Sequence, residues 1–197
     1  MFCPVTGDYP CQCKDKLAVT EIGAALLTDM KAVLRKLFSD HVNYTSLVVR
    51  SSVPQELPEA AADVKRLLKN PIDIANLLVN VVGAPLATEI KDAFTQHLIL
   101  ANSALKPVRE GNTAGVQRAV AQFYEQGNTL ADSLSKLNPS KLPQDYVLKL
   151  IREHNEFVVK LATLRQQRKY EEYNETFDKY YKHMLALADA VAESLTA

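Results

Sequence analysis

The spacing of apolar residues constrains the fold of this 197-residue chain more than any other feature. From Leu17 onward, apolar side chains recur every three or four residues, which is the period of an amphipathic helix. No stretch shows the two-residue alternation of a half-buried strand. The sequence therefore predicts an all-α protein. Because short turns between long helices place neighbours antiparallel, we expect an up-and-down antiparallel helical bundle.

Prolines, glycines and polar clusters divide this pattern into about five long helices, with two short helices in the connection after the first. Pro107 is expected to kink or fray the end of one long helix, because proline lacks a backbone donor. Gly111 is expected just past that end, with Asn112 or Thr113 as the next N-cap. The predicted long helices cover residues 17–49, 88–110, 114–137, 143 to a turn near Arg168, and that turn to the C-terminus; the short ones cover 58–68 and 72–82.

The turn near Arg168 is predicted from the phase of the apolar positions, since neither glycine nor proline marks it. The stretch from Arg165 to Glu172 is nearly all polar, and the apolar positions resume about one residue out of phase. A shifted phase across a polar gap indicates two helices. A single long helix is the alternative, because breaker signals are weak here.

Composition and charge place the chain among ordinary globular proteins. Hydrophobic residues make up 47% and charged residues 23%, and 23 basic residues balance 23 acidic ones. Since no basic excess or stripe is evident, we expect no nucleic-acid binding. No run approaches the length of a membrane span, and the N-terminus lacks a signal-peptide pattern. We therefore expect a cytoplasmic protein without a membrane partner; a homo-oligomer or a larger protein assembly is left open.

The three cysteines all lie in the first thirteen residues, at Cys3, Cys11 and Cys13. Pro4, Gly7 and Pro10 separate them, which favours a flexible arm over residues 1–16. A single helical-bundle domain is predicted over residues 17–197. Reduced thiols are the favoured state of the arm, and a disulfide or a thiolate metal site stays open.

Each of the four histidines falls on a different predicted helix. His41, His97 and His154 lie among the apolar positions of their helices, and His183 lies beside them. In a helical hairpin, residues equidistant from the turn lie side by side. His154 and His183 are equidistant from the turn near Arg168, and the same argument at the other turns adds His97 and Gln126 to that level. The sequence therefore predicts a buried histidine layer.

Such a layer is a candidate site for a transition metal or a small ligand. Imidazole favours zinc, iron, copper or nickel over magnesium or calcium, so His41, His97, His154 and His183 are the candidate metal ligands. Ligating imidazoles donate their second nitrogen to a polar neighbour, and Tyr44, Gln126 and Asp178 are the candidates for that role.

Known metal patterns are nevertheless missing from the sequence. It contains neither the Glu-x-x-His pairs of di-iron bundles nor His-Glu-x-x-His, and no two histidines share a helix.

No catalytic residue is assigned, since no nucleophile, phosphate loop or Cys–His pattern appears, and enzymatic activity is left open. The alternative function is a ligand-free structural or interaction protein, including a subunit of a larger assembly, whose polar layer satisfies its own hydrogen bonds.

From about Leu34 to its C-terminus, the chain resembles a family of small bacterial all-helical bundle proteins without an established function. The resemblance implies the all-helical fold and picks out the same histidines. Family members often carry labels such as acetylglutamate kinase or glycosyltransferase, activities that need α/β folds. Gln126 stands where the family tends to have asparagine, and Arg168 where a turn glycine is common. The matching stretches are His41-Val42-Asn43-Tyr44-Thr45, Arg66-Leu67-Leu68-Lys69-Asn70-Pro71-Ile72-Asp73, Phe94-Thr95-Gln96-His97-Leu98, Gly111-Asn112-Thr113, Glu153-His154, Phe177-Asp178, His183 and Ala188-Asp189.

Overall fold

A computed structural model of the protein describes residues 12–52 and 57–195, with side chains from Thr28 onward except at residues 53–57 and Arg109. Within these residues the chain forms helices and turns and no strand, so the all-α prediction is confirmed. The helices pack into a bundle around one apolar core. They are α1 (Gln12–Ser51), α2 (Leu57–Leu67), α3 (Asn70–Val82), α4 (Ala84–Ser103), α5 (Leu105–Arg109), α6 (Thr113–Ser135), α7 (Gln144–Gln166) and α8 (Tyr170–Ser194).

Helix α1 begins at Gln12, five residues before its predicted start. Residues 12–16 contain neither glycine nor proline, so nothing in them interrupts a helix that begins two residues after Pro10. Part of the predicted flexible arm is therefore helical. Cys3 and Cys11 lie outside the described residues, as does the side chain of Cys13.

Proline and glycine set the middle boundaries of the chain. The predicted helix over residues 88–110 is two helices, because Pro107 clashes with the carbonyl four residues before it and α4 ends at that residue, Ser103. Gly111 follows α5 with a φ of 64°, in the left-handed region expected past a helix end. The Asn112 side chain accepts a hydrogen bond from the Gly115 N–H at 2.9 Å, which confirms Asn112 as the N-cap of α6.

The turn between α7 and α8 confirms the prediction made from the phase shift. Helix α7 ends at Gln166 and α8 begins at Tyr170. Arg168 between them has a φ of 60°, which breaks the helix without a glycine. The alternative of a single long helix is wrong.

Polar contacts give the directions of neighbouring helices. Between α1 and α8, Arg35 donates two hydrogen bonds to Asp189 at 2.6 Å, and Ser46 Oγ lies 2.8 Å from Tyr173 Oη. The residue number rises along α1 as it falls along α8, so this pair is antiparallel. Equivalent contacts make α4 antiparallel to α6, where Gln126 donates to the Ala93 carbonyl and Ser133 donates to Glu89. Among the described helices, none is long and apolar enough to cross a membrane.

Candidate ligand-binding site

Three of the four histidines meet in the core. His41 on α1, His97 on α4 and His154 on α7 are 1%, 1% and 4% exposed. The His154 ring lies between the other two, with ring centroids 5.4 Å from His41 and 5.4 Å from His97. Three helices that are distant in sequence thus bring their imidazoles into one contiguous row, as the sequence predicts.

Aromatic side chains surround this row. The Phe94 ring meets His41 edge-on with centroids 5.4 Å apart, and Phe123 lies 4.5 Å from His97. Tyr180 of α8 lies 5.4 Å from His154. Since these rings remove the imidazoles from water, each ring nitrogen depends on a partner inside the protein.

Few such partners exist among the described residues. His154 Nδ1 lies 3.2 Å from Met184 Sδ, a weak acceptor. His41 Nδ1, both ring nitrogens of His97 and Thr45 Oγ1 are buried and make no hydrogen bond of normal geometry in the described part of the chain. Polar side chains do lie near them: Asn70 near His41, Gln126 near His97 and Tyr180 near Thr45. An unsatisfied buried polar group costs about 1–3 kcal/mol, so this set is expensive for a purely structural layer.

Burial keeps these imidazoles neutral. It lowers the pKa of His41 to about 4, an effect that the Asn70 side chain partly offsets. Burial and then the neighbouring His41 lower the pKa of His97 to about 3, with the Gln126 side chain acting in the opposite direction. Burial also lowers the pKa of His154, helped by His97, His41 and His183. At neutral pH, each ring therefore offers one donor and one acceptor and no charge.

A cavity of about 280 Å³ reaches these three histidines. It lies between α1, α2, α4 and α7, with Leu105 of α5 at its edge, and aliphatic side chains form most of its wall. Thr45, one turn after His41, adds a hydroxyl group. Two lining residues, Ile99 and Asn102, are exposed and mark where the cavity reaches the surface. The full lining is His41, Thr45, Val48, Val49, Val64, Leu67, Leu68, His97, Leu98, Ile99, Ala101, Asn102, Leu105, His154 and Val158.

His183 lies apart from the cavity. Its Nε2 lies 3.0 Å from the Leu150 carbonyl, its Nδ1 lies 3.5 Å from a carboxylate oxygen of Glu153, and its ring packs on Phe157. Burial lowers the pKa of His183, and Glu153 and the Leu150 carbonyl act in the opposite direction. Both ring nitrogens thus face protein groups at the edge between α7 and α8, which gives His183 a structural role that the other three lack.

The three predicted supporting residues have three different positions. Gln126 donates to the Ala93 carbonyl at 3.0 Å and lies close enough to His97 to raise the pKa of that ring as a hydrogen-bonding neighbour, although its Oε1 makes no hydrogen bond of normal geometry within the described residues. The Tyr44 ring carries the Arg66 guanidinium 4.3 Å above its centroid. Asp178 is exposed. Only Gln126 is therefore placed to act on the histidine layer.

The row of imidazoles is not arranged as a metal site. Within residues 12–52 and 57–195, no group of three or more histidine, cysteine, aspartate or glutamate side chains is placed to hold a metal ion. The rings stack at tilted angles of 49° and 38°. Binding of zinc, iron, copper or nickel by His41, His97, His154 and His183 stays a prediction.

Sequence reasoning missed two polar residues beside the layer. Thr45 lies four residues after His41, so it shares its helix face, and that spacing could have identified it. Asn70 is buried, donates to the Leu37 carbonyl at 2.8 Å and lies beside His41. Both add hydrogen-bonding atoms to the layer.

The comparisons with known proteins give no identity to this site. The sequence matches no family model, and neither the curated proteins nor the solved structures include a significant match to it. The resemblance to the bacterial helical-bundle family therefore stays a prediction.

Proposed function

We propose that this protein binds a small, uncharged and mostly apolar molecule in the cavity between α1, α2, α4 and α7. The molecule's polar end meets the neutral imidazoles of His41, His97 and His154. The observation that carries this proposal is the coincidence of the cavity with buried ring nitrogens that make no hydrogen bond of normal geometry within the described residues.

The size and lining of the cavity match such a ligand. An engineered apolar cavity of about 150 Å³ is enough to bind benzene. The cavity here measures about 280 Å³, which accommodates a substituted ring or a short branched chain. Aliphatic walls with a few convergent polar groups are typical of small-molecule sites, where apolar contact supplies affinity and the polar groups set orientation.

The protonation state of the histidines determines the preferred polar group. With the pKa values of His41 and His97 at about 4 and about 3, both rings are neutral at pH 7. A hydroxyl, carbonyl or amide group can exchange hydrogen bonds with neutral imidazoles and Thr45. An ion would lose its hydration without meeting an opposite charge, so charged molecules are disfavoured. We further propose that the long helices form an up-and-down bundle, which gives the cavity rigid walls.

A matched pair of probes tests this function. Para-cresol differs from toluene only by a hydroxyl group, so comparing their affinities isolates the polar end of the site. Calorimetric titration at neutral pH should give saturable binding of both, with para-cresol bound about threefold to tenfold more tightly, the equivalent of one net hydrogen bond. Absence of saturable binding for both probes would contradict the proposal and favour a ligand-free polar layer.

A transition-metal site is the second candidate, favoured by one specific observation. Metal ions bind neutral imidazole, and burial holds His41, His97 and His154 in that state. Against this stands the ring arrangement described above. The two candidates differ in the metal content that purified protein should show.

A further inference from the structure

A second pocket lies where the ends of α1 and α7 meet the start of α8. It measures about 250 Å³ and is lined by Arg50, Arg165, Tyr170, Tyr173 and Asn174. It shares no lining residue with the histidine cavity. The two arginines lie 115 residues apart in the sequence, and the fold brings both side chains to the lining of one pocket.

Neither arginine has a carboxylate partner among the described residues. Arg165 donates to the Arg50 carbonyl over a long 3.4 Å and lies over the Tyr170 ring at 5.3 Å, while its buried Nε has no partner there. Both guanidinium groups lie close enough to the Tyr173 hydroxyl to offset part of the rise in its pKa that burial causes. The pocket is therefore positively charged, with unused donors.

The nearby carboxylates do not neutralise the positive charge of the pocket. Glu171 and Glu172 are exposed, and Glu172 pairs with Lys169 at 3.2 Å. Asp63 accepts a hydrogen bond from Ser51 at the end of α1. None of the three carboxylates lines the pocket.

The first turn of α8 adds backbone donors. Tyr170 opens the helix and lines the pocket, and Lys169 before it provides no side-chain cap. The first N–H groups of a helix have no carbonyl partner within that helix, and they carry the positive end of its dipole. Two guanidinium groups and such a helix start are the elements that recognise phosphate in proteins.

We propose that this pocket binds a phosphate group, held between Arg50 and Arg165 against the start of α8. The volume exceeds what one phosphate fills, so the physiological ligand is a small phosphorylated molecule whose remaining part contacts Tyr170 and Asn174. This site is separate from the histidine cavity, and either one can exist without the other.

The test is a titration of the full-length, isotope-labelled protein with inorganic phosphate, followed by NMR. Acetate and chloride at the same ionic strength serve as comparison anions, because surface charges respond to salt alone. Phosphate should shift the Arg165 Nε–H signal and the amide signals of residues 170–172 in a saturable way. Arg165→Gln and Arg50→Gln should each weaken phosphate binding about tenfold or more, since each removes a charged hydrogen bond.

A matched control separates this site from general charge effects. Arg152→Gln removes the same charge from an exposed position on α7 outside the pocket and should leave phosphate binding unchanged. If Arg165→Gln unfolds the protein by removing its bond to the Arg50 carbonyl, Arg50→Gln still carries the test, because that side chain is exposed. Equal shifts with phosphate and chloride, tighter binding of acetate, or wild-type binding by Arg50→Gln would overturn the proposal.

Discussion

His41 and His154 face each other across α1 and α7 with ring centroids 5.4 Å apart, both almost fully buried. Burial disfavours the charged form of both imidazoles, and rings this close also disfavour a second charge beside a first. The layer is therefore neutral at pH 7, and a neutral layer beside an apolar cavity is suited to an uncharged ligand.

Filling the cavity should remove binding without unfolding the protein. Ala101 is a half-buried lining residue, so Ala101→Leu places extra carbon atoms in the space that the ligand needs. We expect the affinity for para-cresol, measured by calorimetry, to fall about tenfold or more. Ala121→Leu makes the same change at an exposed position of α6 and should bind like the wild type. Equal affinities of the two variants for para-cresol would mean that the probe binds outside the cavity.

Removing an unsatisfied histidine should stabilise the ligand-free protein. Both ring nitrogens of His97 lack partners among the described residues, and His97 lines the cavity, so a phenylalanine ring has room there. We expect His97→Phe to raise the free energy of unfolding by about 1–2 kcal/mol, measured in urea at pH 8. The same variant should lose the preference for para-cresol over toluene. Sites that trade stability for binding show this pattern.

His183→Phe is the control for that experiment. His183 Nε2 makes a hydrogen bond with the Leu150 carbonyl, so this replacement, unlike the one at His97, removes a hydrogen bond of the folded protein. We expect the free energy of unfolding to fall by about 1 kcal/mol. If His97→Phe destabilised the protein as much as His183→Phe does, His97 would have a partner after all.

Acid should destabilise the fold through the buried histidines. Their pKa values in the unfolded chain are about 6.5, whereas in the folded protein those of His41 and His97 are about 4 and about 3. Between these values the unfolded chain binds more protons, so stability is lost as the pH falls. Each buried histidine should contribute a slope of up to about 1.4 kcal/mol per pH unit below pH 6.5.

Urea unfolding at pH 8, 7, 6 and 5 measures that slope. His97→Phe should reduce the slope of the unfolding free energy against pH by the contribution of one histidine, because the variant lacks one group that takes up a proton on unfolding. A flat profile from pH 8 to 5 would mean that the imidazoles are hydrated in the folded state.

The metal content of untagged protein separates the two candidate functions. The small-molecule proposal predicts less than about a tenth of an equivalent of zinc, iron, copper and nickel, and no rise in Tm when these ions are added. Near one equivalent of one metal, lost in His97→Phe, would support the metal site and count against the apolar ligand.

The relative heights of the histidines could be predicted from the sequence because hairpin geometry depends only on where the turns lie. The phase shift located the turn near Arg168, and residues at similar distances on either side of it do meet: His154, in α7, contacts Met184, the residue after His183. Gln126 lies beside His97 for the same reason. These relations depend on the helical period of the apolar residues and on the position of the turn, and both can be read from the sequence.

The orientation of side chains around each helix was harder to predict. Asp178 precedes His183 by five residues, about 140° around the helix at 3.6 residues per turn, and it is exposed. Tyr44 shares a face with His41, yet Arg66 of α2 lies over its ring. The cavity itself depends on how side chains of four helices fill the space between them, which no periodicity specifies.

Locating bound para-cresol by NMR tests the central claim most directly. Nuclear Overhauser contacts from its ring protons should reach the His97 ring and the side chains of Leu105 and Val158, which line the same cavity. Contacts instead to Ile72 and Val79, in the exposed groove between α3 and α4, would show that the probe binds at the surface and would contradict the account.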